Sequence, residues 1–265
     1  EGREVTSELV DFVPEKADGS VEISFAFKSV TLTSRTIVAA ETVWHEGVEV
    51  AVHKDLTDKD QTVYIPEIGT TLTDSNGQKM FIGSKKAVLE DVVSYKNLPA
   101  GTYTMFGKLI NKADGKVVSE GRQVFTVETD NETADGTVTV TFTFDTDKHE
   151  GKILVAYEYL FEGELKKMPK SGEKAVHENP DDEGQTVYIP KVGTIAAASD
   201  GGKVLPISDK AVINDTVKYS GLIPGLEYAV RASVYDKTTG KILEDVSAEA
   251  KFSPEKSDGE VTVKI

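Results

Sequence analysis

An internal repeat constrains this chain more than any other feature of its sequence. The segment HKDLTDKDQTVYI at residues 53–65 returns as HENPDDEGQTVYI at residues 177–189, so equivalent positions lie 124 residues apart. A period of this length is too long for a solenoid repeat and matches the size of one small domain. The sequence therefore predicts tandem copies of a single small domain.

The two copies share three polar residues and the sequence that follows them. The shared residues are His53, Asp58 and Gln61 in the first copy, and His177, Asp182 and Gln185 in the second. Each copy ends in QTVYIP and runs directly into a similar continuation, EIGTT at residues 67–71 and KVGTI at residues 191–195. We expect the last strand of one domain to continue into the first strand of the next through a very short joint.

Turn signals and alternating apolar residues predict β-strands along the whole chain. Asp-Gly pairs at residues 18–19, 135–136 and 258–259 each precede an alternating stretch, which is typical of a strand with one buried face. Hairpin tips are predicted at residues 113–115 and 238–240. We find no helical periodicity. The predicted fold class is all-β, as tandem immunoglobulin-like β-sandwich domains.

The repeated elements also predict domain limits. The segment DVVSYKNLPAG at residues 91–101 returns as DTVKYSGLIPG at residues 215–225. Residues 65–190 therefore contain one complete repeat. Residues 1–64 correspond to the carboxyl-terminal half of a repeat, and residues 191–265 to the amino-terminal half of another.

Charge and composition exclude several classes of function. The net charge of −15 would repel a phosphate backbone, so we expect no nucleic-acid partner. No apolar run reaches the roughly 20 residues that span a bilayer, so we expect no membrane contact within this segment. The chain has no cysteine, which excludes disulfides.

The repeated polar residues suggest a specific reaction. A threonine hydroxyl is a weak nucleophile unless a base takes its proton, and His177, oriented by Asp182, is a candidate base. Glu158 closes the apolar run LVAYE, as Glu41 closes IVAAE, and a buried carboxyl stays protonated and can donate a proton. Attack of a threonine on the carboxamide of Gln185 would give an ester and ammonia.

These motifs resemble a known family. The elements IGT, VAYE and H-x4-D-x2-QT, in this order, are similar to the intramolecular ester-bond domains, also called VaFE or T-Q repeats, of Gram-positive cell-surface adhesins. The resemblance implies a spontaneous ester between Thr70 and Gln185, assisted by Glu158, His177 and Asp182. The matching residues in the flanking parts are Glu41, His53, Asp58, Gln61 and Thr194.

The identity of the nucleophile stays open at this point. Thr70 is preferred over Thr71 and Thr73 because Thr194 aligns with it, whereas Ile195 and Ala197 align with the other two. The first copy departs from the family pattern at Ala40, where an aromatic residue is usual.

The resemblance implies a structural stalk of a surface adhesin, extracellular and anchored to a Gram-positive cell wall by a segment outside this sequence. It requires no cofactor, and the chemistry is a single turnover, so we do not expect an enzyme. One alternative is a tandem module that binds a host protein or glycan, with no ligand identifiable from the sequence. Another is a hydrolase site at His177 and Asp182. A metal site at His53, Asp55 and Asp58 is disfavoured because Asn179 replaces Asp55 in the second copy.

The incomplete flanking parts lead to a prediction about self-association. Gln61 has no partner threonine in residues 1–64, and Thr194 has no partner glutamine in residues 191–265. We expect head-to-tail contacts in which Thr194 of one chain forms an ester with Gln61 of the next, assisted by Glu41, His53 and Asp58. The alternative is that the sequence ends at arbitrary points of a longer protein.

Overall fold

The structure, a computed structural model, describes residues 3–81, 83 and 85–265. Residues 1 and 2 of the predicted first part therefore lie outside the described residues. Regular structure in the described chain is β-strand, apart from four single-turn 3-10 helices at Ser29–Thr31, Lys59–Gln61, Thr146–Lys148 and Glu183–Gln185. The all-β prediction is confirmed. No helix in the described residues is long and apolar enough to cross a membrane.

The strands are β1 (Arg35–Val38), β2 (Glu41–His45), β3 (Val48–His53), β4 (Thr62–Ile65), β5 (Glu67–Asp74), β6 (Ala87–Leu98), β7 (Gly101–Asn111), β8 (Val117–Val127), β9 (Ala134–Phe144), β10 (Lys152–Glu162), β11 (Ala175–His177), β12 (Thr186–Ile189), β13 (Lys191–Ala198), β14 (Ile213–Ser220), β15 (Tyr228–Tyr235), β16 (Ile242–Phe252) and β17 (Gly259–Lys264).

The central repeat is a two-sheet antiparallel sandwich of the predicted immunoglobulin-like kind. One sheet has the order β5-β6-β9, and the other has the order β11-β10-β7-β8, with β12 also paired to β10. The inner face of β9 alternates as expected, with Val138, Val140, Phe142 and Phe144 buried. These side chains pack against apolar residues of the opposite sheet, including Leu109 and Leu154, to form one core.

Two glycines allow the sheets to approach closely at one row of residues. Gly107 and Gly121 are paired across β7 and β8, and Gly107 is paired with Glu158 of β10 on its other side. A Cβ atom on Gly107 would lie 2.6 Å from the Phe142 ring, and one on Gly121 would lie 2.9 Å from the Thr141 carbonyl oxygen. Because these two glycines have no side chains, β9 packs close to the row that contains Glu158.

The flanking parts repeat portions of this sandwich. In residues 191–265, β13-β14-β17 form a three-stranded sheet like β5-β6-β9, and β15 pairs with β16 as β7 pairs with β8. In residues 35–65, β1 pairs with β4 as β10 pairs with β12, and β2 pairs with β3 as β10 pairs with β11. The domain limits 1–64, 65–190 and 191–265 stay a prediction.

One predicted strand is wrong. The alternating residues after Asp18-Gly19 were expected to form a strand, but residues 3–28 contain neither strand nor helix and are mostly exposed. The equivalent strands β9 and β17 form because each pairs with a neighbour, β6 and β14 respectively. Residues 3–65 contain no counterpart of β6 among the described strands, so the segment has no ladder partner.

The joints between repeats are a single residue long. Pro66 separates β4 from β5, and Pro190 separates β12 from β13. At the first joint the Asn97 side-chain amide donates to the carbonyl oxygens of Arg35, at 2.8 Å, and Ile65, at 3.4 Å. At the second joint Gly221, with φ of 69°, packs so closely that a Cβ would lie 2.8 Å from the Ile189 carbonyl oxygen.

Candidate functional site

A gap along one edge of β10 holds the side chain of Gln185. Strand β12 pairs with Lys152–Val155 and strand β11 with Glu158–Leu160, and the 3-10 helix Glu183–Gln185 immediately precedes β12. Gln185 is fully buried. Its Nε2 donates to the Ala156 carbonyl oxygen at 2.8 Å, to Glu158 Oε2 at 3.0 Å and to the His177 carbonyl oxygen at 3.0 Å.

The carbonyl oxygen of this carboxamide also has a donor. The backbone N–H of Asn179 donates to Gln185 Oε1 at 3.3 Å. A donor at this position stabilises negative charge that develops on the oxygen when a nucleophile attacks the carboxamide carbon. The site therefore both orients the amide and supports its activation.

Asp182 shapes the turn that presents Gln185. As the N-cap of the 3-10 helix, its Oδ1 accepts from the Gly184 N–H at 2.7 Å. Its Oδ2 lies 3.1 Å from His177 Nε2, and its carbonyl oxygen accepts from the Thr186 hydroxyl at 2.7 Å. One aspartate thus fixes both the turn and the histidine ring.

Thr70 lies on the facing strand, β5. Its hydroxyl donates to Asp91 Oδ1 of β6. Thr71 and Thr73 are offset from it by odd numbers of residues, so their side chains alternate to the opposite face of β5. The Gln185 turn lies directly against this strand, because a Cβ on Gly184 would be 2.9 Å from the Thr70 carbonyl oxygen.

Asp91 and Glu158 form a buried pair of carboxyls between the two sheets. Both side chains are fully buried, and each carboxyl shifts the pKa of the other. Burial raises the pKa of Asp91 and raises the pKa of Glu158 well above its ordinary value, and the nearby Asp91 raises the pKa of Glu158 further. Asp91 Oδ2 and Glu158 Oε1 are buried without a hydrogen-bond partner among the described residues. We therefore conclude that the pair shares a proton.

Reasoning from the sequence missed Asp91, although a signal was present. In β6 the inward positions are Ala87, Leu89, Asp91 and Val93, so an acid interrupts an otherwise apolar face. The same interruption occurs in β14, where Asp215 is paired with Ala196 as Asp91 is paired with Leu72.

The structure brings together the first copy of the carboxyl-terminal residues. Gln61 Nε2 donates to Glu41 Oε2 at 2.7 Å, and His53 Nε2 lies 3.3 Å from Asp58 Oδ2. Asp58 caps its 3-10 helix as Asp182 does, and Glu41 is paired with His53 as Glu158 is with His177.

Thr194 lies apart from that set, on β13 beyond the second joint. It is paired with Val217, as Thr70 is paired with Val93. The assignment of these residues to a reaction stays a prediction.

The arrangement around His53 does not suggest a cation site. Asp55 Oδ1 accepts from the backbone N–H and the hydroxyl of Thr57, at 2.8 Å and 2.7 Å. Within residues 3–81, 83 and 85–265, no group of three or more His, Cys, Asp or Glu side chains is placed to hold a metal ion.

Comparison with solved structures finds matches of low sequence identity. An adhesin from Mobiluncus mulieris that contains intramolecular disulfide, isopeptide and ester bond cross-links matches in two crystal forms. The first has 17% identity, covers 75% of this chain and 76% of that chain, and has a TM-score of 0.42. The second has 14% identity, covers 75% and 97%, and has a TM-score of 0.41. A glycosyl hydrolase family 2 member from Bacteroides cellulosilyticus matches at 10% identity over 54% of this chain and 16% of that one, with a TM-score of 0.32.

A comparison with curated proteins finds no match. The family model described as "T-Q ester bond containing domain" matches three times, over residues 1–65, 66–189 and 190–265, which together span the chain. The chain therefore belongs to the family of T-Q ester bond containing domains.

Proposed function

We propose that the central repeat forms an ester between Thr70 and Gln185. One observation carries this proposal: the Thr70 hydroxyl and the Gln185 amide nitrogen are hydrogen-bonded to the two partners of a single carboxyl pair, Asp91 and Glu158. The nucleophile, the Thr70 hydroxyl, and the leaving group, the Gln185 amide nitrogen, thus contact the same buried pair of carboxyls.

The reaction follows from these contacts. Thr70 Oγ1 attacks the Gln185 carboxamide carbon while its proton passes to the Asp91 carboxylate. The oxyanion is stabilised by the Asn179 N–H. Glu158 then protonates Nε2, which leaves as ammonia, and the proton gained by Asp91 restores the pair. The carbon–nitrogen bond breaks, an ester carbon–oxygen bond forms, and no cofactor or redox step is needed.

This assignment differs in one respect from the role inferred for His177. The Thr70 hydroxyl donates to Asp91, so the contact favours Asp91 as the base. His177 Nδ1 is buried without a hydrogen-bond partner among the described residues. We assign His177, together with Asp182, to holding the turn that carries Gln185.

We further propose that the chain is part of the stalk of an adhesin on the surface of a Gram-positive cell. The chain enters the central repeat at its first strand, β5, and leaves it at its last strand, β12. Thr70 lies on β5, and Gln185 immediately precedes β12. An ester between them would carry a pulling force across the repeat without opening the sandwich. A force-bearing stalk, extracellular and attached to the cell wall, makes use of this property.

The test of the ester is the intact mass of the denatured protein, followed by peptide mapping. We expect a mass lower than the sequence mass by one ammonia and a joined peptide pair that contains Thr70 and Gln185. Thr70→Ala should restore the full sequence mass minus the side-chain change. A full sequence mass for the unaltered chain would reject the proposal.

We also propose that residues 191–265 of one copy complete residues 1–64 of another. Gln61 Oε1 in the first part and Asp215 Oδ1 in the last are buried without a hydrogen-bond partner among the described residues. In the central repeat the matching groups belong to one site, where Gln185 and Asp91 flank the reaction. Thr194 of one copy would then form an ester with Gln61 of the next.

Denaturing electrophoresis and mass spectrometry of the concentrated protein test this second ester. We expect a ladder of multiples of the chain mass, each step lighter by a further ammonia, and its loss in Thr194→Ala. A purely monomeric mass at high concentration would overturn the intermolecular proposal while leaving the central ester unaffected.

A further inference from the structure

We propose that Lys79 is a positioning residue that clamps the Gln185 turn against the sheet that carries Thr70. The inference rests on the proposed Thr70–Gln185 ester and assigns a residue that neither the motifs nor the repeat pattern singled out. Lys79 lies in the segment that follows β5, five residues after the strand ends at Asp74.

The clamp has a side-chain and a main-chain part. Lys79 Nζ donates to the carbonyl oxygen of Gly184, the residue before Gln185, at 2.6 Å. The Lys79 carbonyl oxygen accepts from the Tyr188 N–H at 2.8 Å, and Met80 forms a parallel bridge with the same tyrosine. One short segment therefore grips the chain on both sides of Gln185.

The charge of Lys79 acts on the same carboxyl pair. The side chain is half-buried, which lowers the pKa of Lys79, while the negative charges of Asp91 and Asp182 oppose that shift. In return Lys79 lowers the pKa of Asp91.

The other groups that face Asp91 are the carboxyl of Glu158, the hydroxyl of Thr70 and the ring of His177. The groups that act on the pKa of Glu158 are Asp91, Gln185 and Asp182, and none of these three is a cation. Lys79 therefore favours the distribution in which Asp91 is ionised and Glu158 keeps the proton. That distribution places a base at Thr70 and an acid at the leaving nitrogen.

The last part of the chain shows the same lysine without the turn. Lys203 lies 124 residues after Lys79, and its Nζ donates to the carbonyl oxygen of Ala196 on its own sheet. Residues 191–265 contain no counterpart of the 3-10 helix Glu183–Gln185 among their described elements. Lys79, in the repeat that has the turn, therefore contacts the turn. Lys203, in the part that lacks it, contacts strand β13 instead.

The experiment compares Lys79→Met, Lys79→Arg and a control, Lys112→Met, in the full chain. Lys112 donates to Asp181 at 3.0 Å, so it also tethers the segment before Gln185, but through an exposed ion pair. Ammonia loss is followed by intact mass over time after purification at several pH values. We expect Lys79→Met to slow ester formation about tenfold to a hundredfold, because small displacements of reacting groups have effects of this size.

We expect Lys79→Arg to recover most of the rate and Lys112→Met to match the unaltered chain. Full crosslinking of Lys79→Met at the unaltered rate would overturn the proposal. An unaltered chain that loses no ammonia would instead reject the ester itself.

A second readout does not depend on the ester. In a Thr70→Ala background, NMR titration of the ¹³C-labelled Asp91 carboxyl should show a higher pKa after Lys79→Met and no change after Lys112→Met. An Asp91 titration that is the same with and without Lys79 would overturn the charge role of this residue, whether or not the ester forms.

Discussion

At the scale of single residues, the site depends on two carboxyls that have been removed from water. Both Asp91 and Glu158 are fully buried, and each carboxyl shifts the pKa of the other. Two buried carboxylates in contact repel each other strongly, so one of them must hold a proton near neutral pH. The arrangement is costly for stability and useful for proton transfer.

This cost leads to a prediction about pH. Because the pKa of Glu158 is raised in the folded state, the unfolded chain releases this proton first as the pH rises above about 4.5. In Thr70→Ala, where no ester forms, the free energy of unfolding should therefore fall as the pH rises from about 4.5 towards the folded pKa. Adding Glu158→Gln should reduce that fall, since the amide does not ionise.

Urea unfolding at a series of pH values, from about 4 to 8, measures this difference. The matched control is Glu162→Gln in the same background, because Glu162 lies on the same strand but forms an exposed ion pair with Lys174. Equal pH dependence in the Thr70→Ala protein with and without Glu158→Gln would contradict the shared-proton description.

Some of these residues were predictable and others were not. His177, Asp182 and Gln185 share one short segment that recurs in the sequence, so the repeat pointed to them. Asp91 required a second inference, that an acid on the inner face of an apolar strand must have a polar partner. Lys79 was not predictable, because its importance depends on a carbonyl group 105 residues away.

At the scale of elements, the site depends on how closely two sheets pack. Glu158, Gly107 and Gly121 lie in one row of the sheet β11-β10-β7-β8, and Asp91 is paired with Val140 in the sheet β5-β6-β9. Because the glycines present no side chains, Val140 and its strand approach this row. The same approach brings the carboxyl of Asp91 to that of Glu158.

Gly121→Ala tests this coupling between packing and chemistry. Its Cβ would meet Val140 Cγ1 and would lie 2.9 Å from the Thr141 carbonyl oxygen, so the sheets must separate. We expect a loss of about 1–3 kcal/mol in the free energy of unfolding, as is typical of overpacking, and slower ester formation by intact mass. Gly193→Ala is the control, because no atom lies within 4 Å of its Cβ position and its φ is not positive.

An unchanged rate of ester formation in Gly121→Ala would show that the close approach does not serve the site.

Most strands of the fold could be predicted from alternation and turns, as for β9 and β17. Residues 21–27 could not, because alternation describes which faces a strand would bury and says nothing about whether a neighbouring strand is present.

At the scale of the whole molecule, the ester would close a long loop. Thr70 and Gln185 are 115 positions apart, and a crosslink of this span stabilises a fold by about 5 kcal/mol in the chain-entropy model. That figure is similar to the whole net stability of a small domain. Since the chain has no cysteine, disulfides cannot supply the same constraint.

Thr70→Ala should therefore lower the stability of the central repeat by about this amount. Thermal or urea unfolding of the unaltered and altered chains measures the difference, with Thr71→Ala as the control because Thr71 is exposed on the opposite face of the same strand. Equal stability of the Thr70→Ala and Thr71→Ala proteins would contradict a crosslink at Thr70.

The Thr70–Gln185 ester is tested by the intact mass of the unaltered chain after denaturation, with mapping of the crosslinked peptides. We expect a mass lower by one ammonia for the central ester, and a joined peptide pair that links Thr70 to Gln185. The full sequence mass, with the Thr70 and Gln185 peptides recovered separately, would contradict it.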